Sequence, residues 1–528
     1  MKNSSSVDEL FKKATEMDKA GKSIEAARLY QKILGIEPTH AYSHYLLGIQ
    51  ALRRANYNQA IQLFQKAITH QPDEATFHYF MGQTYQAQGN LEQALLTYRH
   101  VLKLAPHHKA TLYRSGTVLR SLGQLEEAES NLRILLNYMP NHVDARLTLG
   151  KLLVEQGNHE EALVNYNQLL KNDPNLVSAL MRKGEILLAR NRFDEAQKNY
   201  RELFTLQRGH GMNDALFENN TLPPSDTNKQ PIQVFPFYIE NLSEHINHLV
   251  ENHKLDQSFT QASKLLETLL DDISDTTTSN KPITLSPDQA APILSFYDRA
   301  LYITDTPNID GPAINTSLNY RRIEDTYLES EIPMVYFDDF LTPETLKAIY
   351  EYCLDATIFH RQSHNGFLSS YVYEGFNCEA LYRIAAELRQ RFPRILGTKE
   401  LRNMWVYRQP PAGDGVRPHS DQSAVTVNFW VTPDSANLDP EHGGLIVYDR
   451  EQPMDWDWYK TNQFKDSPEV LNKIDSFLQG ANTTTIPYRE NRAIMFHSNL
   501  FHASDCFTFK NGYHNRRMNI TILFGNRS

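Results

Sequence analysis

The sequence predicts a multidomain α+β protein: an α-solenoid of paired helices over residues 7–210, a linker and helical connector over 211–330, and a β-sandwich or jelly roll over 331–528. Three observations carry this reading. Prolines recur every 34 residues in the first two hundred positions, the period is lost at about residue 211, and short β-type runs replace helical spacing after residue 331. At 528 residues the chain is also too long for one hydrophobic core.

Pro38, Pro72, Pro106, Pro140 and Pro174 keep the period without a slip. In the same frame stand Gly48, Gly82, Gly116, Gly150 and Gly184, then Ala26, Ala60, Ala94, Ala128, Ala162 and Ala196, with Tyr30, Phe64, Tyr98, Tyr166 and Tyr200 four places on. Small residues let two helices approach closely, the aromatic fills the space between units, and proline opens the next unit. The pattern resembles the tetratricopeptide repeat, in six units over 7–210. Such units cannot bury their apolar faces alone, so they stack into a superhelix whose concave groove is the expected working surface. The resemblance implies protein or peptide binding and no catalytic residue. Tyr45, Tyr79 and Tyr113 recur at one position of three successive first helices, where they either form an aromatic ladder for a peptide or pack on the adjacent helix.

Residues 219–231, NNTLPPSDTNKQP, have the composition of an exposed linker. Helical spacing returns over 240–273 and breaks at DTTTSNKP, 275–282. It resumes at Ser286, an N-cap followed by Pro287, and the helix is expected to run through PDQAAPILSFYDRAL. His245, His248 and His253 fall in this connector, but Glu244-His245-x-x-His248 is not the His-Glu-x-x-His of zinc proteases, so solvated histidines are expected.

The C-terminal runs MVYFDDFL, NMWVYRQ, AVTVNFWV, GGLIVYD, RAIMFHS and RRMNITILFG are separated by Gly, Pro and Asp. TPETLKAIYEYCLDA, 342–356, reads as a helix capped by Thr342 and packed on one sheet. In RPHSDQSAVTVNFWV, His419 and Asp421 stand two residues apart at the start of a strand, so extended backbone points both to one face. Two imidazoles and one carboxylate hold a redox-active Fe(II) with three adjacent positions open, so a second histidine is required downstream. His142 and Asp144 share the spacing but occupy a turn between helices, where no metal is expected. The segment NRAIMFHSNLFHASD offers His497 and His502. Arg517, Asn519 and Thr521 alternate along the last strand, placing a guanidinium where it pairs with a buried dicarboxylate. Arg516 points the other way, and a one-residue slip in register exchanges the two.

This ordered set resembles the Fe(II)/2-oxoglutarate-dependent dioxygenase superfamily, near its prolyl-hydroxylase-like branch. The family order is a His-x-Asp motif, a glycine turn, a distal His and a basic residue on the final strand; His419, Asp421, Gly443–Gly444, His502 and Arg517 occupy those places. The resemblance implies a double-stranded β-helix (jelly roll), Fe(II) held by His419, Asp421 and His502, and the far carboxylate of 2-oxoglutarate held by Arg517. It favours His502 over His497, because Leu500-Phe501-His502 matches the distal segment of a bacterial subgroup. Tyr407 either matches a position lining the cosubstrate pocket or is a core aromatic; Thr521 adds a hydroxyl to the same carboxylate and Asn428 faces the metal, or these two strand-facing polar residues pack against loops or water. The implied reaction couples decarboxylation of 2-oxoglutarate to hydroxylation of an unactivated C–H bond by dioxygen. Two departures are a long Pro/Gly-rich segment, Gln409–Arg417, and a wider spacing from the distal His to Arg. Residues 451–485, with Trp456, Trp458 and Tyr459, form an insertion that is either a lid or a surface excursion anchored by aromatics.

Composition narrows the partners. Lys plus Arg 53 against Asp plus Glu 63 leaves −10, the wrong sign for nucleic acid or an anionic membrane surface. Cys353, Cys378 and Cys506 include no close pair, so neither a disulfide framework nor a thiolate zinc site is expected. The start, MKNSSSVDELFKK, has no apolar signal core and no window approaches the roughly 18 apolar residues of a span, which fits a soluble cytoplasmic protein. By analogy with procollagen hydroxylases that carry similar repeats, the substrate is expected to be a protein or peptide delivered by the groove. The alternatives are a small-molecule oxygenase with the repeats as scaffold, and a non-catalytic adaptor with a degenerate β-domain.

Overall fold

The computed structural model describes residues 2–210, 231–274, 282–363, 366–457, 461 and 467–527. The expected linker at 219–231 and the break at 275–282 fall almost wholly outside these residues, as do Trp458 and Tyr459. The chain divides into two compact units, Met1–Ala179 and Leu180–Ser528.

The first unit is built of antiparallel helix pairs: Lys2–Lys19 with Ser23–Ile36, Ala41–Arg53 with Tyr57–His70, Ala75–Ala87 with Leu91–Leu104, Lys109–Ser121 with Leu125–Tyr138, and Val143–Glu155 with His159–Asn172. The 34-residue frame has a steric cause. A Cβ on Gly48 would stand 2.7 Å from the Phe64 ring, one on Gly82 2.7 Å from Tyr98, and one on Gly150 2.5 Å from Tyr166. The alanines and rings of the frame are fully buried, so each pair closes over one small residue and one large one. Helix starts are capped locally: Asn56 and Asn90 accept from the amides of Gln59 and Gln93, and the His142 ring accepts from the amide of Ala145 at 3.2 Å. His142 is therefore a cap, as its position in a turn predicts. The tyrosines of the expected ladder pack between helices. Tyr45 lies against Phe64, Phe77 and Phe80. Tyr79 accepts from Arg114 Nε at 3.1 Å and contacts His108, while the Tyr113 ring sits 5.4 Å from that of His142.

The second unit holds most of the sixth helix pair, completed by Phe193–Arg208, the connector helices Pro236–Glu251 and Thr260–Ser274, and the β-rich region. The helix expected from Ser286 is much shorter than its spacing predicts. A full capping box starts it, but it runs only Pro287–Ala290 and tightens into a 3-10 turn, Ala291–Ile293. Pro292 has no amide to donate, which ends the ladder. Two of the three connector histidines differ from expectation too, whereas His253, past the end of the helix, is exposed as expected. His245 is buried, with Nδ1 2.8 Å from the Tyr513 hydroxyl and Nε2 2.8 Å from Thr357 Oγ1, and His248 bonds Asp355 at 2.8 Å. They join the connector to the β-rich region and are not solvated.

We number the strands of the two main sheets β1 (Met334–Phe337), β2 (Arg361–Gln362), β3 (Leu368–Tyr371), β4 (Leu401–Arg408), β5 (Val425–Trp430), β6 (Leu445–Glu451), β7 (Thr483–Ile486), β8 (Ala493–His497), β9 (Leu500–Ser504) and β10 (Met518–Phe524). The larger sheet is antiparallel in the order β1–β8–β5–β10–β4–β3–β2, and the smaller is β7–β6–β9. A bridge between His419 and His502 extends the smaller sheet by one short segment. Trp430, Ile494 and Phe496 from the larger sheet share one core with Leu445, Val447, Ile486 and Leu500 from the smaller. Each such side chain contributes about 1.5–3 kcal/mol on burial. The helix Pro343–Asp355 starts at Thr342 as its cap predicts. Two helices, Glu379–Arg391 and Pro468–Leu478, have no counterpart in the sequence reading.

Candidate metal centre

Three side chains meet where the smaller sheet adjoins the start of β5. The ligand atoms of His419, Asp421 and His502 lie within 4.8 Å of one another. His419 and His502 are bridge partners, each amide bonding the other's carbonyl at 3.0 and 2.9 Å, which brings their rings to 4.4 Å. His419 Nδ1 lies 2.8 Å from the Arg417 carbonyl and His502 Nδ1 3.1 Å from that of Leu500. Donation to a carbonyl fixes both rings in the tautomer whose Nε2 carries the lone pair. The Asp421 amide donates to Ser498 O at 2.9 Å, and Thr426 Oγ1 donates to Asp421 Oδ2 at 2.8 Å. Ser498 Oγ bridges Thr426 at 2.9 Å and Ser423 at 2.6 Å. Asp421 Oδ2 stands 3.6 Å from His502 Nε2. The intervening Ser420 turns away to Gln452, as alternation requires.

The alternatives left by the sequence resolve in space. His497 turns to Glu451, 2.7 Å away, and is not in the cluster. Arg516 pairs with Glu240 at 2.6 Å and Glu244 at 3.0 Å on the connector. Arg517 turns inward and is almost fully buried. Its Nε donates to Gly443 O at 2.6 Å and Nη2 to Gly444 O at 3.1 Å, while Nη1 meets Gln409 Oε1. All three acceptors are neutral. Burial alone pushes its pKa down to about 10, with Tyr488 and Asp505 pulling back. Gly444 lies three residues before Val447, the register partner of His502, so the guanidinium sits roughly 10 Å along the strand from the metal ligands.

The strand face between these two places carries the other predicted residues. Register sets Tyr407 opposite Asn519, Trp405 opposite Thr521, Asn428 opposite Thr521 and Trp430 opposite Asn519. Tyr407 is half-buried, and its ring lies 4.7 Å from that of Phe367. Thr521 and Asn428 bond each other, so the structure shows neither on the triad. Trp405 Nε1, Trp430 Nε1 and Asn519 Oδ1 are buried with no hydrogen-bond partner. A guanidinium whose acceptors are all neutral suits an anionic ligand, and two imidazoles with a carboxylate suit a divalent first-row metal. Both expected groups therefore fit the residues present.

Sequence reasoning missed Thr426, Ser498 and Gln409. The first had a signal, since Thr426 and Asn428 are the polar members of one face of an otherwise apolar strand. The described part of the insertion packs outward: Trp456 lies against Phe477 and Phe501, and Phe501 faces away from the adjoining His502.

The matching family model covers the helical region. The tetratricopeptide repeat model matches residues 51–115, 119–183 and 153–204, so the N-terminal solenoid is built of tetratricopeptide repeats. No curated protein matches the chain. Among solved structures, YrrB, a repeat protein described as having an unusual peptide-binding site, is 20% identical over 33% of this chain and 91% of its own, with a TM-score of 0.31. PilF of Pseudomonas aeruginosa is 17% identical over 39% and 94%, TM-score 0.34, and MamA of Desulfovibrio magneticus RS-1 is 21% identical over 31% and 92%, TM-score 0.30. Among the described residues, no helix is long and apolar enough to cross a membrane.

Proposed function

We propose that the second unit is an Fe(II)- and 2-oxoglutarate-dependent hydroxylase of the prolyl-hydroxylase-like superfamily, its two sheets forming a double-stranded β-helix, or jelly roll. It acts in the cytoplasm on a protein or peptide recruited by the repeat groove. The observation that carries this reading is the convergence of His419, Asp421 and His502 on one point, from residues up to 83 positions apart (502 − 419 = 83). When bound, Fe(II), 2-oxoglutarate and dioxygen supply the decarboxylation to succinate and carbon dioxide and the oxygen atom delivered to the substrate C–H bond.

The protein's contribution is binding, orientation and exclusion of water. His419 and His502 present Nε2 because carbonyls hold their Nδ1 protons, and Thr426 orients Asp421. Arg517, desolvated and without a carboxylate among its hydrogen-bond acceptors, receives the far carboxylate of the cosubstrate. Tyr407, Trp405 and Trp430 stand on the strands that flank Asn519 and Thr521, and Thr521 and Asn428 bond each other on the same face. The tetratricopeptide match supports recruitment of a polypeptide by the first unit.

The test is an anaerobic titration of the metal-free full chain with Fe(II) and 2-oxoglutarate, read by the visible charge-transfer band of a chelated keto acid. The band is expected in wild type, absent in His419→Ala, and shifted to at least tenfold higher 2-oxoglutarate concentration in Arg517→Ala. A folded wild type without the band sinks the oxygenase and leaves a repeat adaptor.

A further inference from the structure

Among the described residues, one other group of metal-ligating side chains converges. The ligand atoms of His442, Asp505 and Cys506 lie within 4.8 Å of one another. Two backbone hydrogen bonds hold the segments that carry them: the Gly443 amide donates to Cys506 O at 2.8 Å, and the Asp505 amide to Gly444 O at 3.2 Å. Asp505 is buried, whereas His442 and Cys506 are open to solvent. Sequence reasoning set aside thiolate metal sites because no two cysteines are close, but a site with one thiolate needs no second.

A catalytic relay uses the two nitrogens of the imidazole in turn, one for the carboxylate and one for the nucleophile. That is not the arrangement here. His442 Nδ1 stands 2.9 Å from Asp505 Oδ2 and 3.7 Å from Cys506 Sγ, so carboxylate and sulfur face the same nitrogen. Tetrahedral coordination by S, N and O at about 2.0–2.3 Å gives ligand-to-ligand edges of roughly 3.3–3.6 Å. The two separations bracket that range, and the third edge, from Asp505 to Cys506, is within 4.8 Å. Asp505, with smaller contributions from Asp439 and Glu441, raises the His442 pKa, and the same negative field favours a cation.

We propose that His442, Asp505 and Cys506 form a second metal site, independent of the triad, for a thiolate-accepting divalent ion of the zinc class. The ion takes three protein ligands and keeps a fourth position open. Thiolate and imidazole select the softer divalent ions over magnesium or calcium. On binding, the thiol proton and the proton held between His442 and Asp505 leave to solvent, and no electron is transferred. The site also has a structural reach: His442 adjoins the Gly443 and Gly444 carbonyls that hold Arg517, so an ion there stiffens the turn that positions the guanidinium.

Cobalt(II) is the probe, because a bound thiolate gives a near-ultraviolet ligand-to-metal band that the His/Asp triad cannot produce. Metal-free full chain is titrated anaerobically with Co²⁺. The band is expected in wild type, unchanged in His419→Ala, absent in Cys506→Ala, and reached only at tenfold or higher Co²⁺ in His442→Ala. Cys353 and Cys378 are buried, and burial raises both thiol pKa values, so neither supplies a substitute thiolate. Folded wild type without the band, a band that persists in Cys506→Ala, or one lost in His419→Ala would each overturn the proposal.

Discussion

The two units bury apolar surface on different scales of sequence distance. In the first, each periodic glycine meets a large side chain within the same helix pair, Gly48 on Phe64, Gly82 on Tyr98, Gly116 on Leu132, Gly150 on Tyr166, and the arrangement repeats. In the second, the contacts that matter are unique and remote: Arg516 with Glu240 at 276 positions, Tyr513 with His245 at 268, Thr426 with Ser498 at 72. A repeat tolerates loss of one contact because its neighbours supply others of the same kind. A centre assembled from distant strands has no spare copy, so damage to one register is expected to remove both stability and the site.

Glycine gives the sharpest way to break that comparison. Gly444 lies in the turn before β6, and a Cβ there would stand 1.7 Å from the Ile486 carbonyl oxygen, a backbone atom that cannot rotate away. Gly444→Ala is therefore expected to cost about 3 kcal/mol or more, by separating β6 from β7 and shifting an acceptor of Arg517. All four tryptophans, 405, 430, 456 and 458, lie in the second unit, so indole fluorescence reports on it alone. Urea unfolding should show the fluorescence midpoint collapsing while most of the helical circular dichroism persists. A fluorescence midpoint equal to wild type would mean that β6 and β7 do not depend on that approach.

The same contrast explains what the sequence could tell. The 34-residue frame was legible because its cause is local, and so were the Thr342 cap and the His419–Asp421 face, each set by spacing along one element. Which histidine joins the cluster, His497 or His502, depends on the pairing of His502 with His419, which no local spacing reveals. Helical spacing at His245 and His248 identifies the apolar face but not the partner that covers it, so both were read as solvated. The helix from Ser286 has a complete start signal, yet its end depends on Pro292 and on packing that no window reveals. Thr426 was visible as a polar residue on the inner face of β5, but Ser498, its partner, carries no signal at all.

Acid tests the buried connector. His245 is fully buried and burial holds its pKa near 3, with Arg408 and His248 acting in the same direction; His360 is lowered well below the ordinary value by the same cause. In the unfolded chain an imidazole titrates near 6.5. Between these values the unfolded state binds more protons, so the stabilising contribution is present above about pH 6.5 and is lost as pH falls toward 3. Each such histidine contributes a slope of about 1.4 kcal/mol per pH unit. The fluorescence midpoint should therefore fall between pH 6 and 4.5 by about 2 kcal/mol per histidine, and His245→Gln should remove one histidine's share of the slope. In the first unit, His44, His78 and His108 are lowered in the same direction but are less buried, so the helical signal should fall less. Equal acid sensitivity of the two signals would break the contrast.

The smallest expected effect probes the repeat itself. Gly150→Ala gains about 0.8–1 kcal/mol of helix propensity, yet its Cβ would stand 2.5 Å from Tyr166 Cζ and 2.7 Å from the hydroxyl oxygen. Overpacking of this kind costs about 1–3 kcal/mol, so the net loss should be about 1 kcal/mol, read as a lower urea midpoint of the helical signal. In the equivalent place of another pair, Gly116 faces Leu132 rather than a ring. Tyr166→Leu removes the ring, and Gly150→Ala in that background should become neutral or stabilising, because propensity then acts with little opposition. A coupling of about 1 kcal/mol or more in the double-mutant cycle assigns the periodic glycine to the ring it faces. Additive effects would assign it to the backbone of its own helix, and the steric cause of the 34-residue frame would have to be sought elsewhere.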